Sequence, residues 1–100
     1  MAIKTSVSSD GNCMTIMLPE RFDFSVYKDL REAYEKSGRC ALYVVDLRGT
    51  RYIDSSALGM LLQLREFAGS RNDAVRITNA DGPVRDTLRI ANFHKLMNVA

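Results

Sequence analysis

Apolar and polar positions along the chain follow two patterns. Nearly continuous apolar runs and one alternating segment predict strands at residues 13–18, 41–47 and 74–78. Apolar residues three and four positions apart predict helices at residues 25–36, 56–68 and about 82–91. The chain therefore changes from a strand pattern to a helix pattern several times.

The N-terminal segment predicts a β-hairpin. An apolar strand at residues 3–7 is followed by Asp10-Gly11, a pair that favours a hairpin with a two-residue turn or a longer loop. The returning strand at residues 13–18 should end at Pro19, because proline cannot donate a ladder hydrogen bond.

Capping residues delimit the predicted helices. Ser25 is the expected N-cap of the first helix and Gly38 its stop, while Gly69 closes the second helix. Pro83 suits the first turn of the third helix. The tail at residues 96–99 fits either a short strand or a last half-turn.

Strands that alternate with helices after an initial hairpin indicate an α/β layer structure. The run at residues 41–47 is almost entirely apolar, which is typical of a strand buried on both faces. One hundred residues suffice for one core, and neither a linker nor a repeat divides them. We expect a single domain over residues 1–100.

Composition excludes several classes of protein. Hydrophobic residues make up 46% of the chain and charged residues 26%, which argues against disorder. The net charge of +2 is spread along the chain without a basic stripe, so nucleic-acid binding is not expected. No apolar segment is long enough to cross a bilayer, and no signal peptide is recognisable at the N-terminus. A cytoplasmic protein without membrane contact is expected.

Two cysteines, Cys13 and Cys40, lie in apolar surroundings and are expected to act as small buried hydrophobes. They form neither a C-x-x-C pair nor a cluster with histidine. The sequence therefore predicts no metal site and no cofactor.

The segment at residues 44–62 carries the candidate chemistry. A buried strand leads through a short loop to Asp54-Ser55-Ser56 at the start of a helix. Unpaired amides and a partial positive charge at a helix N-terminus favour an anion, so a phosphate on Ser55 could be accommodated there. The simpler interpretation is that these residues only cap the helix.

The run I-D-S-S-A-L-G, preceded by V-V-D-L, resembles the STAS domain family, and within it the stand-alone bacterial anti-sigma-factor antagonists. The hairpin, R-F-D-F and A-D-G-P-V follow in the order that this family shows. The resemblance implies one STAS-type α/β domain. Its central mixed sheet would have four to five strands, with three to four helices packed mostly on one face.

The resemblance also implies a mechanism. Ser55, with Ser56 as the second choice, would be phosphorylated by a partner that is both serine kinase and anti-sigma factor. The unphosphorylated protein would capture this partner, and a metal-dependent serine phosphatase would reset the switch. The implied partner-binding residues are Asp23, Asp54, Ser56, Gly59, Met60 and Gln63.

Two positions depart from the family pattern. Ala57 stands where glycine is common, which should stiffen the helix start. Pro19-Glu20 replaces a glycine-containing loop before R-F-D-F, which alters the shape of a loop that faces the partner.

A helical wheel of the second helix places several apolar residues on one side, which is the predicted core face. Arg65 falls within it, and its head group is expected to reach water. Met60, Leu64 and Phe67 form a second apolar line that either widens the core face or leaves Met60 and Phe67 partly exposed for docking. The core face consists of Ala57, Leu58, Leu61, Leu62 and Ala68.

Two other functions compete with the switch. An enzyme is not expected, because the G-x-S-x-G elbow is absent and His94 is the only histidine. No small-molecule substrate is therefore expected, and Asp46 is interpreted as a strand-end acid. The second alternative is a STAS module that binds constitutively, as a transporter accessory subunit or a component of a sensory assembly.

Overall fold

The computed structural model describes residues 3–36 and 38–100. Two short 3-10 turns, Phe24–Val26 and Phe93–Lys95, supplement the regular elements. The helices are α1 (Tyr27–Lys36), α2 (Ser55–Phe67) and α3 (Gly82–Ile90). The strands are β1 (Lys4–Val7), β2 (Cys13–Met17), β3 (Arg21–Phe22), β4 (Leu42–Asp46), β5 (Tyr52–Ile53), β6 (Val75–Thr78) and β7 (Asn98–Val99).

The strands form a five-stranded sheet in the order β1-β2-β4-β6-β7 and a separate pair, β3 with β5. β1 runs antiparallel to β2, as the predicted hairpin requires, and the other neighbours are parallel. The expected α/β domain with a mixed sheet is confirmed. The tail becomes the second 3-10 turn followed by the edge strand β7.

Side chains in the hairpin loop fix its five-residue path. Asp10 Oδ1 accepts hydrogen bonds from Ser8 Oγ at 2.6 Å and from Asn12 N at 3.0 Å. The Ser8 hydroxyl in turn accepts from Cys13 N at 3.0 Å, where β2 begins. The loop therefore closes through an aspartate-centred network rather than a two-residue turn.

The core lies between the helices and one face of the sheet. Tyr43 and Val45 on β4 are fully buried, but Leu42, Val44 and Asp46 on the opposite face are only half-buried. The prediction of a strand buried on both faces is thus wrong. The three helices contribute their buried residues to a single cluster with one sheet face, so the other face stays open.

The structure corrects two further predictions, the N-cap of the first helix and the burial of Cys13. Asp23, not Ser25, caps the 3-10 turn that leads into α1, and Ser25 lies inside that turn. Cys40 is buried, as expected, while Cys13 lies on the open sheet face and is half-buried.

Across the described ranges, no helix is both long and apolar enough to span a membrane.

A buried tyrosine anchors the segment that enters β4. The Tyr43 hydroxyl accepts from Cys40 N at 2.9 Å and donates to the Gly38 carbonyl at 3.3 Å. Burial raises the pKa of this phenol, so the hydroxyl stays protonated.

We expect Tyr43→Phe to lower the free energy of unfolding by about 1–3 kcal/mol, because it leaves the buried Cys40 amide without a partner. Thermal denaturation should show a fall of several degrees in Tm. Tyr52→Phe is the matched control, since Tyr52 is 42% exposed. Equal stability of the two variants would contradict the role assigned to the Tyr43 hydroxyl.

Candidate functional site

The pairing of β3 with β5 brings two aspartates together. The strands run parallel with Phe22 opposite Ile53, so Asp23 and Asp54 follow at the same edge. The carboxylates are close enough for the charge of Asp23 to act on Asp54. The loop after the hairpin and the start of α2 therefore form one surface.

Each aspartate caps the helical turn that follows it. Asp54 Oδ1 accepts from Ala57 N at 3.0 Å and from Ser56 Oγ at 2.6 Å. Asp23 Oδ1 accepts from both Ser25 N at 3.0 Å and Ser25 Oγ at 2.6 Å. The same Asp-x-Ser spacing produces both caps.

These hydrogen bonds keep both carboxylates ionised. The Ser56 hydroxyl, followed by the Ala57 amide, lowers the pKa of Asp54, although the charge of Asp23 opposes that effect. The Ser25 hydroxyl, then the Ser25 amide and the Arg21 guanidinium, lower the pKa of Asp23. Two negative charges therefore stand beside the start of α2 at neutral pH.

The two candidate acceptor serines occupy different environments. Ser55 is the first residue of α2 and is exposed, and its hydroxyl forms no hydrogen bond with any described residue. Ser56 is half-buried, and its hydroxyl donates to Asp54. The Ser55 oxygen is thus exposed and unbonded among the described residues, whereas the Ser56 oxygen is engaged in the cap.

The outer face of α2 extends the surface from Ser55. Gly59 and Gln63, four and eight residues further on, are also exposed. A Cβ built on Gly59 would meet no heavy atom within 4 Å, so the backbone is accessible there. Ser55, Gly59 and Gln63 form a continuous stripe, which we call the α2 outer stripe.

Met60 does not belong to this stripe. It is only 4% exposed and packs in the core with Leu61 and Leu64, so of the two alternatives for Met60 the wider core face is correct and the docking surface is not. Leu62, expected in the core, is instead 38% exposed. The true core face is rotated relative to the predicted one and consists of Ala57, Met60, Leu61 and Leu64.

Two other side chains of α2, those of Arg65 and Phe67, contact neighbouring segments. Arg65 is half-buried, and its head group donates to the Leu96 carbonyl at 2.8 Å and, at an exposed position, to Asn72 Oδ1 at 2.8 Å. Phe67 is half-buried and contacts the ring of Tyr34, with centroids 5.0 Å apart. Both residues thus fasten α2 to its neighbours.

Aromatic residues beside the aspartates were missed by sequence reasoning. Phe24 is 66% exposed and stacks on Tyr27, with ring centroids 5.1 Å apart. The Arg21 guanidinium lies 4.3 Å from the ring centre of Tyr52, which is also exposed. The available signal was the repeated pattern of an apolar residue, Asp and a Ser two positions later, in F-D-F-S and I-D-S-S.

The remaining acids and the histidine lie outside this surface. Asp46 accepts from Arg48 N at 3.0 Å and from Asn79 Nδ2 at 2.9 Å, which is a structural role at the strand end. His94 lies in the second 3-10 turn. Among the described residues, no three His, Cys, Asp or Glu side chains are arranged to hold a metal ion.

Comparisons with known proteins agree with this architecture. The family described as "Mlab, STAS domain" matches residues 5–98. A STAS-domain containing protein of Pseudomonas aeruginosa is 46% identical over 101 residues, covering 100% of each chain. The chain belongs to the STAS domain family.

Solved structures show the same fold at low identity. The anti-sigma factor antagonist SpoIIAA in its unphosphorylated form superposes with a TM-score of 0.82 at 16% identity, covering 99% of this chain and 88% of the other. Phosphorylated SpoIIAA of Bacillus gives 0.74 at 15%, covering 99% and 91%. An anti-sigma factor antagonist of Mycobacterium paratuberculosis gives 0.77 at 19%, covering 97% and 84%.

We expect Ser56→Ala to raise the pKa of Asp54 towards its ordinary value of 3.8, because the strongest hydrogen bond to the carboxylate is lost. Ser55→Ala should leave that pKa unchanged. An NMR titration of the Asp54 carboxyl carbon measures both variants.

The same hydrogen bond links folding to pH. Because the folded pKa of Asp54 lies below its unfolded value, its stabilising contribution is full above 3.8 and is lost as the pH falls towards the lowered value. Ser56→Ala should therefore weaken the acid dependence of stability. An unchanged Asp54 pKa in this variant would refute the assignment.

Proposed function

We propose that this STAS-domain protein is an anti-sigma-factor antagonist that works as a phosphorylation-controlled partner switch. In its unphosphorylated form it binds a partner that is both serine kinase and anti-sigma factor. Phosphorylation of Ser55 releases the partner. The observation that carries the proposal is the exposed, unbonded Ser55 hydroxyl at the start of α2, beside two ionised aspartates.

The start of α2 can accept a phosphate without loss of the fold. Ser55 is the first residue of the helix, where backbone amides lack intrahelical acceptors and the helix dipole favours negative charge. The Asp54 cap uses the Ala57 amide and the Ser56 hydroxyl but not the Ser55 side chain. Modification of Ser55 therefore leaves the cap intact.

The same modification changes the surface strongly. A phosphoserine carries about −1.5 to −2 charges at neutral pH. It would stand beside Asp54 and Asp23, whose pKa values are lowered so that both are already charged. A partner surface complementary to a neutral hydroxyl and two carboxylates would then face a concentrated negative charge, and binding should be lost.

The similarity to SpoIIAA structures in both the unphosphorylated and the phosphorylated form supports this reasoning, because the fold of that protein persists in the two states. A metal-dependent serine phosphatase, acting with the kinase in the cytoplasm, would complete the cycle. Binding would involve Asp23 and the α2 outer stripe, whereas Asp54 and Ser56 would hold the helix start in shape.

A second candidate is a STAS module that binds its partner constitutively. The description of the matching family names Mlab beside the STAS domain and no sigma-factor regulator, which supports this second candidate. Such a module would use the same α2 surface and would not require a free hydroxyl at Ser55. The two candidates differ in whether Ser55 is modified.

Incubation with ATP and the cognate kinase should add one phosphate to the wild-type chain, mapped to Ser55 by mass spectrometry. Ser55→Ala should abolish the modification. Ser56→Ala, the matched control, should retain it, because the Ser56 oxygen is already bonded to Asp54.

In pull-downs, Ser55→Ala should retain the kinase-like partner and Ser55→Asp should lose it. Equal recovery by both, without phosphorylation of the wild type, would favour the constitutive module.

We expect Gln63→Arg to weaken partner binding at least about tenfold, because it places a bulky charge on the α2 outer stripe. Its Tm should be nearly unchanged, since the residue is exposed. Ser6→Arg adds the same charge on the open sheet face and serves as the control. Calorimetric titration with the purified partner measures both, and an equal affinity for both variants would exclude this stripe from the interface.

A further inference from the structure

A cavity of about 200 Å³ lies at the C-terminal side of the domain, apart from the Ser55 surface. It is open to solvent and is lined by Arg85 and Arg89 of α3, His94 of the second 3-10 turn and Val99 of β7. Two of its four lining side chains are arginines and a third is a histidine. No carboxylate lines it.

The basic side chains at this cavity have no hydrogen-bond or ion-pair partner in the part of the chain that the structure describes. Neither guanidinium forms a hydrogen bond or an ion pair within residues 3–36 and 38–100, and the His94 ring forms none with those residues either. Asp86 lies about 100° around α3 from Arg85, and Asp81 lines a different cavity. The positive charge at the cavity is therefore uncompensated.

Helix electrostatics explain only part of this arrangement. Arg89 is in the last turn of α3, where a cation is favourable. Arg85 lies only three residues after Gly82, the first residue of the helix. It is therefore near the N-terminal end of α3, where the helix dipole makes a cation unfavourable. Its position four residues before Arg89 also brings two like charges to one side of the helix. A bound anion would relieve both costs.

We propose that this cavity binds a phosphate group. Two arginines on one helix face offer planar donors that suit the oxygens of a phosphate. The volume fits such a group and is below the roughly 300–1,000 Å³ of pockets that enclose larger ligands. The phosphate is either free or carried by a small organic molecule, whose apolar part would contact Val99.

The test is a titration of the full chain with inorganic phosphate at constant ionic strength, followed by the backbone amide resonances of α3 and residues 93–95. These should shift saturably, whereas acetate should shift them little. O-phosphoserine as a second probe distinguishes the sources. Tighter binding than inorganic phosphate indicates a carried phosphate, and equal binding indicates a free one.

Arg89→Gln should weaken phosphate binding at least about tenfold, because a charge-assisted bond is lost. Arg76→Gln removes the same charge from an exposed position on the open sheet face and should leave binding unchanged. Both variants should keep the wild-type Tm without phosphate. Shifts that fail to saturate, that acetate reproduces, or that both variants lose equally would overturn the phosphate site.

Discussion

The parallel pairing of β3 with β5 is the constraint on which the candidate site depends. Only two residues pair on each side, yet the register sets Asp23 and Asp54 next to one another. Each carboxylate then caps a helical turn through the same Asp-x-Ser geometry. Without this short ladder, the loop after the hairpin would have no fixed relation to the start of α2.

The cap also separates the chemistry of two adjacent serines. Asp54 binds the Ser56 hydroxyl and leaves the Ser55 hydroxyl to solvent. One serine therefore stabilises the helix start while its neighbour stays available. This division explains how a charge could be added and removed at Ser55 while the fold persists, because the hydrogen bonds that define the helix start do not involve the modified atom.

Charge is distributed unevenly over the domain despite a small net value. The Ser55 surface carries two ionised aspartates, whereas the cavity beside α3 collects Arg85, Arg89 and His94 without an acid. The overall net charge of +2 conceals this separation. Local potential, and not total charge, decides which ligands each surface can hold.

The sequence by itself determined the three helices, the strands β1, β2, β4 and β6, and the position of Ser55 at a helix start, because periodicity, turn residues and caps are local signals. It did not predict the two-residue strands β3 and β5, which are too short to leave a periodic pattern. It did not determine which face of α2 meets the sheet. Met60 and Leu62 are both apolar and lie about 160° apart around the helix, so only tertiary packing decided that Met60 is buried and Leu62 exposed. The burial of β4 on one face alone, the pairing of β3 with β5 and the convergence of Arg85 with His94 likewise depend on contacts between distant segments, which no local pattern encodes.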